Sequence, residues 1–125
     1  MDRYTFWIII GSSFAALAVV FGAFGAHGLK SKVTPEDLVI FETGVRYQMY
    51  HSLGLILLGV LGMAAHLNIS QLPAIFFITG ILIFSGTLYL IPLTGMRWLG
   101  ALTPIRGIAF IAGWTSLIYN IIKSQ

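Results

Sequence analysis

Two histidines, His27 and His51, are the residues of this sequence whose type and placement best suit chemistry. His27 closes a first long apolar run and His51 opens the second, so both are predicted to lie near the same end of the folded chain. Two imidazoles placed in this way could ligate a haem or a metal, or relay protons. The chain has no Cys, and no carboxylate stands at metal-ligand spacing. We therefore favour the alternative in which each imidazole hydrogen-bonds to a neighbouring helix, and we predict no metal and no cofactor.

Other polar side chains near His51, and one arginine far along the chain, could form a site with it. Tyr47, Gln48 and Tyr50 could line a pocket for a lipid headgroup or a quinone ring, although an aromatic belt that anchors a membrane helix is the favoured alternative. Arg106 lies in an apolar helix, where a charge snorkels to phosphates, faces a cavity or finds a partner, for which Glu42 is preferred. The candidate polar site comprises His27, Glu42, Arg46, Tyr47, Gln48, Tyr50, His51 and Arg106.

The sequence contains no catalytic signature that we could identify. It has no nucleophile elbow, no phosphate-binding loop and no HExxH pattern. Acidic residues are absent from the apolar runs, which also weakens a proton-coupled transporter as an interpretation. We predict no catalytic residue, and an enzyme is the less favoured class of protein.

The composition places the chain in a membrane. Of its 125 residues, 58% are hydrophobic and only 9% are charged, whereas a soluble domain is about one quarter charged. So few charges cannot cover a globular surface in water, so most of the surface must face lipid. The formal net charge of +3 is scattered without a basic stripe, which argues against a nucleic-acid partner.

Four apolar segments are long enough to cross the hydrocarbon of a bilayer, which takes about 20 helical residues. They cover about residues 5–26, 47–65, 74–91 and 102–122. The sequence therefore predicts an all-α integral membrane four-helix bundle formed by a single domain over residues 1–125, with both termini on one side of the membrane. The basic residues are distributed too evenly to show which side that is.

An additional helix is predicted over about residues 34–46, between the first two spans. Thr34 followed by Pro35 is a strong helix start, because threonine caps the helix and proline fits its first position. Leu38, Phe41 and Val45 then recur on one face, as in an amphipathic helix that lies in the membrane interface. Gly44 offers a bend into the second span.

Small residues mark the faces where helices are predicted to pack closely. The stretch GAFGAHGL ends the first span, and His27 is expected to hydrogen-bond across the contact that its glycines make with the second span or the interfacial helix. Gly25→Leu is expected to lower thermal stability far more than the control Gly59→Leu, if Gly59 faces lipid. The predicted packing residues are Gly22, Gly25, Gly28, Ala109 and Gly113.

Four separated motifs carry a resemblance to a known family. GAFGAHGL, TGVRYQMYH, FSGTLY and TPIRGIAFIAGW occur in this order over nearly the whole chain. They resemble an uncharacterised family of small multi-spanning membrane proteins, the bacterial YgdD-like and YwdK-like proteins, catalogued as a domain of unknown function. The resemblance implies about four membrane helices and implies no activity. Relatives often have a glycine where this chain has Arg106, so the resemblance gives that arginine no family-wide role.

Three hypotheses for the function follow, in order of preference. The first is a structural or accessory protein of the bacterial cell membrane, which packs with itself or with a larger membrane complex. The second is a protein that binds or transports a lipid or small molecule at a polar site near His27, Tyr47 and His51. The third is a haem or quinone redox protein. Membrane lipids are the partners that all three share.

Overall fold

The computed structural model describes the backbone of residues 1–125 and every side chain except those of Thr103 and Pro104, so the predicted place of Pro104 in the fourth span lies outside the described side chains. The described backbone is helical and contains no strand. In chain order it comprises α1 (Arg3–Phe24), a π-helical turn (Gly25–Leu29), α2 (Pro35–Ala64), α3 (Leu72–Gly80), a second π-helical turn (Ile81–Ser85), α4 (Gly86–Thr94), a 3₁₀ segment (Arg97–Leu102) and α5 (Thr103–Lys123).

Four continuous helical stretches are long and apolar enough to cross a membrane. They are Arg3–Leu29, Pro35–Ala64, Leu72–Thr94 and Arg97–Lys123. The predicted all-α membrane fold with four spans is confirmed. The third span continues through Pro92 and ends at Gly95, whose φ of 74° is the left-handed conformation that glycine adopts at helix ends.

The helix predicted over residues 34–46 is not a separate element. It begins where expected, with the Thr34 hydroxyl accepting a hydrogen bond from the Asp37 N–H, but it continues without interruption to Ala64. At about 1.5 Å per residue, these 30 residues extend for about 45 Å, longer than the hydrocarbon is thick. The helix is uninterrupted at Gly44, where the Ser85 hydroxyl donates to the carbonyl and the Tyr89 ring occupies the space beside the glycine.

The most extensive contact in the bundle joins α1 to α2. Gly11 of α1 lies so close to α2 that a Cβ added to it would come within 2.7 Å of the Ser52 carbonyl oxygen. Gly59 of α2 lies equally close to α1, since its added Cβ would come within 2.6 Å of the Tyr4 carbonyl oxygen. Gly59 therefore does not face lipid, so the condition for using it as a lipid-facing control is not met. Backbone approach through glycine brings these two helices together, as is common in membranes.

Hydrogen bonds at one end of the bundle bring both termini next to the 65–71 connection. Arg3 Nη2 donates to Asn68 Oδ1 at 2.9 Å, and the Tyr4 hydroxyl donates to the Leu67 carbonyl at 3.2 Å. From the last span, Asn120 Oδ1 accepts the Ser70 N–H at 2.7 Å. We call this the terminal end of the bundle.

At the opposite end, an ion pair joins the start of the second span to the start of the fourth. Arg97 Nη1 and Nη2 donate to the two carboxylate oxygens of Asp37 at 2.5 and 2.7 Å. Only 9% of the Asp37 side chain is exposed, against 60% for Arg97. The bidentate geometry fixes the connection between α4 and α5 against α2.

Breaking this ion pair is expected to have a modest effect, because the arginine is open to solvent. We expect a coupling free energy of about 0.5–1 kcal/mol between Asp37→Asn and Arg97→Gln in a double-mutant cycle. The measurement is detergent unfolding of the purified chain, repeated at high salt, where the coupling should fall. The matched cycle uses Glu36→Gln with Arg97→Gln, since Glu36 is exposed and forms no ion pair within the described structure. Equal coupling free energies in the two cycles would contradict the ion pair between Asp37 and Arg97.

Candidate functional site

Gln48 joins three helices at the centre of the bundle. Its side chain is only 2% exposed. The amide Nε2 donates to the Phe14 carbonyl of α1 at 2.8 Å, and Oε1 accepts from the Tyr89 hydroxyl of α4 at 2.5 Å. Both ends of the amide therefore have partners on other spans. An unpaired buried amide would be costly, so this arrangement fixes how α1, α2 and α4 are aligned.

His51 is also buried, and both its ring nitrogens are engaged. Trp114 Nε1 of α5 lies 2.9 Å from His51 Nε2, and His51 Nδ1 lies 2.8 Å from the Tyr47 carbonyl oxygen. The indole N–H can only donate, and the carbonyl can only accept. The hydrogen bonds thus assign the neutral imidazole with its proton on Nδ1. Neither nitrogen is open for a metal or haem unless one of these bonds breaks.

Aromatic rings surround His51 between α2, the third span and α5. The imidazole stacks on Phe110, with ring centroids 3.5 Å apart and planes 9° from parallel. Phe77 meets the imidazole edge-on at 5.3 Å. Further out, Tyr47 stacks on Phe84 at 4.6 Å. This aromatic cluster (Tyr47, His51, Phe77, Phe84, Phe110 and Trp114) packs rings against the imidazole from both α5 and the third span.

Arg106 is buried, and it contacts the third span and not Glu42. Its Nη1 donates to the Thr87 hydroxyl at 3.1 Å, and its guanidinium lies 5.6 Å from the centre of the Phe84 ring. The predicted ion pair with Glu42 is not formed within the described structure. Instead, the hydroxyl and the π-face stabilise the charge inside the bundle.

His27 does not lie between packed helices, and that expectation is wrong. Its side chain is exposed, whereas Gly25 and Leu29 on either side are buried. Gly25 does lie against α2, because its added Cβ would come within 3.1 Å of the Phe41 ring, and Gly22 lies near Val45. Residues two apart on a helix point to opposite sides, so His27 turns away from the contact that Gly25 makes.

Of the remaining candidate residues, Tyr47 is exposed but stacks beside His51 at a centroid distance of 6.3 Å. Arg46 and Tyr50 are exposed, and Glu42 is partly exposed. Arg46 Nη2 approaches the Thr43 hydroxyl at 3.4 Å and forms no pair with Glu42 within the described structure. Of the predicted packing glycines, Gly113 lies against Phe77, while Gly28 lies against Phe24 of its own helix. Ala109 is partly buried beside Phe110 in α5.

The partners of the two buried residues were not found by sequence reasoning. Trp114 lies 63 residues from His51, and Tyr89 lies 41 residues from Gln48. The FSGTLY motif was the sequence feature that could have indicated these contacts, because its Ser85 and Tyr89 both contact α2. Ser85 ends a π-helical turn, and its hydroxyl reaches the Gly44 carbonyl at 2.7 Å. Such turns commonly occur at places where a helix reorients a side chain for a specific contact.

Two cavities of the described structure lie away from the aromatic cluster. The smaller one, about 130 Å³, is apolar and lined by Phe21, Phe24, Phe41, Tyr89 and Leu93. The larger one, about 810 Å³, opens at the terminal end and is lined by both polar and apolar side chains. Polar binding chemistry is therefore available at the terminal end.

Comparison with known proteins gives membrane relatives of the same length. Residues 21–107 match the family described as "Protein of unknown function (DUF423)". A UPF0382 membrane protein of Staphylococcus haemolyticus is 44% identical over 117 residues, covering 94% of this chain and 95% of the relative. The UPF0382 membrane protein YwdK of Bacillus subtilis is 40% identical over 119 residues, covering 94% of this chain and 96% of the relative. No solved structure gives a significant match.

Proposed function

This chain belongs to the DUF423 family of unknown function, and from that premise we propose that it is a structural or accessory protein of the bacterial cell membrane. In this role it packs with further copies of itself or with a larger membrane complex. The observation that carries the proposal is that several buried polar side chains bond one helix of the bundle to another. Their hydrogen-bonding groups are thereby engaged inside the bundle.

Three buried side chains illustrate this use of polar groups. Gln48 bonds to α1 and α4, His51 bonds to α5, and Ser85 bonds from the third span to α2. Catalytic and transport sites instead place polar groups in a concave space that a substrate can enter. Interior hydrogen bonds of this kind support a rigid bundle that acts through contacts made by its outer surface.

The four spans differ in how much of their surface is left uncovered by the rest of the bundle. Within the most apolar window of each span, only 17% of residues in the first and 22% in the fourth are buried, against 44% in each of the central two. On the first span, Ser12, Ala16 and Ala23 are exposed and share one helical face. Small residues on a lipid-facing side let another helix approach closely, which supports α1 as the contact surface.

The two alternative functions have less support. Both nitrogens of His51 are engaged and His27 is exposed, so a haem or quinone site between them would have to break existing bonds. A polar ligand site near His27, Tyr47 and His51 meets the same difficulty, because the space around the imidazole is filled by rings.

The test is the mass of the assembly extracted from its own membrane in polymer nanodiscs. We expect more than one copy of the chain, or a fixed ratio to a second protein. Ala16→Leu should lower the assembled fraction about tenfold, which corresponds to about 1.4 kcal/mol. Ala64→Leu, which adds the same side chain at an exposed position of α2, should change it little. A single chain in the nanodiscs, or equal effects of the two variants, would contradict the proposal.

A further inference from the structure

The cavity at the terminal end is lined by polar, cationic and apolar side chains. It is open on one side and has a volume of about 810 Å³ between the start of α1, the 65–71 connection and the end of α5. Sites for small ligands typically have volumes of about 300–1,000 Å³. Among its lining residues are Arg3, His66, Ser70, Asn120 and Lys123. We call it the terminal cavity.

Its charge is positive. Arg3 and Lys123 both line it, and no lining residue in the described structure is acidic. Arg3 uses only Nη2 for its hydrogen bonds to Tyr4 and Asn68, so Nε and Nη1 keep their donors. The nearby Asp2 carboxylate is held by the Thr5 N–H at 2.8 Å, and this bond keeps the pKa of Asp2 below its usual value. Asp2 therefore acts as the cap of α1 and does not line the cavity.

One lining residue carries an unused hydroxyl. Ser70 Oγ is buried and has no hydrogen-bond partner among the described residues. The backbone of Ser70 is already held, because its N–H donates to Asn120 Oδ1, and Asn120 Nδ2 in turn donates to the Ser116 carbonyl. A buried hydroxyl without a partner costs about 1–3 kcal/mol, and rotation of the Ser70 side chain toward an acceptor oxygen in the cavity would recover this energy.

The terminal cavity thus combines cationic donors with a hydroxyl donor. A ligand that fits them must present negative charge and several acceptor oxygens. A phosphate group does both. We infer that the terminal cavity binds a phosphate group, carried by an anionic phospholipid or free in solution, through Arg3, Lys123 and the Ser70 hydroxyl. This site is independent of the assembly role proposed above.

The surroundings of the cavity also accommodate a lipid. Leu72 lines it and is 53% exposed, and Ile122 on α5 is 67% exposed. Ile75 and Ile118 continue these two exposed rows one turn further from the terminal end. A phospholipid held by its phosphate in the cavity would lay its acyl chains along this apolar surface.

The experiment titrates the purified full chain in neutral detergent with phosphatidylglycerol or with inorganic phosphate, followed by native mass spectrometry and thermal unfolding. We expect saturable binding of at least one probe. Removal of one cation, by Arg3→Gln or Lys123→Gln, should weaken binding about fivefold, and removal of both about thirtyfold. The charge-matched control is the double variant Lys30→Gln/Lys32→Gln, because both lysines lie outside the cavity lining and are exposed. Binding by this control should equal that of the parent chain.

Ser70→Ala separates binding from folding. This variant removes a buried hydroxyl without a partner, so the ligand-free chain should unfold at the same or a higher temperature, while binding weakens about fivefold or more. If inorganic phosphate displaces phosphatidylglycerol, the phosphate group alone suffices. If it does not, the lipid is the source. Failure of both probes to bind, or equal binding by the parent, Ser70→Ala and the double cation variant, would overturn the inference.

Discussion

Gly59→Ala is expected to lower the free energy of unfolding by about 1–3 kcal/mol, although alanine is the better helix former. The reason is the close approach of α1. The added Cβ would come within 2.6 Å of the Tyr4 carbonyl oxygen and 2.5 Å of Ile8 Cγ1. The first of these atoms belongs to the backbone, so the whole of α1 must move to make room. The measurement is the midpoint of unfolding of the purified chain in mixed detergent micelles.

Two other glycines serve as matched controls for the same substitution. Gly86 has nothing within 4 Å of an added Cβ in the described structure, so Gly86→Ala should leave stability unchanged or raise it by up to about 1 kcal/mol. The stability of Gly25→Ala should lie between those of Gly59→Ala and Gly86→Ala. Its added Cβ approaches the Phe41 ring at 3.1 Å, and this ring is a side chain that can shift. If Gly59→Ala were as stable as Gly86→Ala, the close contact between α1 and α2 would be wrong.

The glycines also show where sequence reasoning ends. Glycine spacing identified Gly22 and Gly25 as packing positions, and both lie near α2. The same reasoning did not identify Gly59 as a packing position and considered it only as a control that could face lipid. In a helix that is apolar all round, hydrophobicity does not distinguish the lipid-facing side from the buried side, since lipid tails are as apolar as leucine. Which face of α2 meets α1 depends on tertiary packing that no local pattern records.

The second span illustrates the difference between helix starts and helix ends. Thr34 and Pro35 were strong start signals, and the helix begins there. The expected end near residue 46 rested on Gly44 and on the change from a mixed to a purely apolar pattern. A single glycine costs a helix only about 1 kcal/mol, and the contacts of the third span with this position, including the hydrogen bond from Ser85 to the Gly44 carbonyl, offset this cost.

The buried residues of the site were identified by type but not by partner. Gln48 and His51 stood out as polar residues at the start of an apolar run, and both are buried. Their partners come from spans far along the chain, so no spacing rule could pair them. Helix geometry could have predicted the exposure of His27, because His27 lies two residues from Gly25 and therefore on another face of the helix.

His51→Phe is expected to destabilise the bundle by about 1–3 kcal/mol. Phenylalanine fills nearly the same volume and can stack on Phe110, so packing changes little. The loss comes from the Trp114 N–H, which donates to His51 Nε2 at 2.9 Å and would be left buried without an acceptor. Trp114→Phe should have a comparable cost, because it removes the only donor that reaches Nε2 in the described structure. The measurement is again the midpoint of detergent unfolding.

The double variant His51→Phe/Trp114→Phe tests whether this one hydrogen bond is responsible. Removing both partners of a buried bond leaves no unsatisfied group, so the double variant should be more stable than the sum of the single losses predicts, by about 1–2 kcal/mol. Trp98→Phe is the control for loss of an indole: Trp98 is 65% exposed, and its substitution should change stability by less than about 0.5 kcal/mol. Strict additivity of the two single losses would show that His51 and Trp114 act by packing alone. Non-additivity would identify their bond as the link that holds the fourth span against the second.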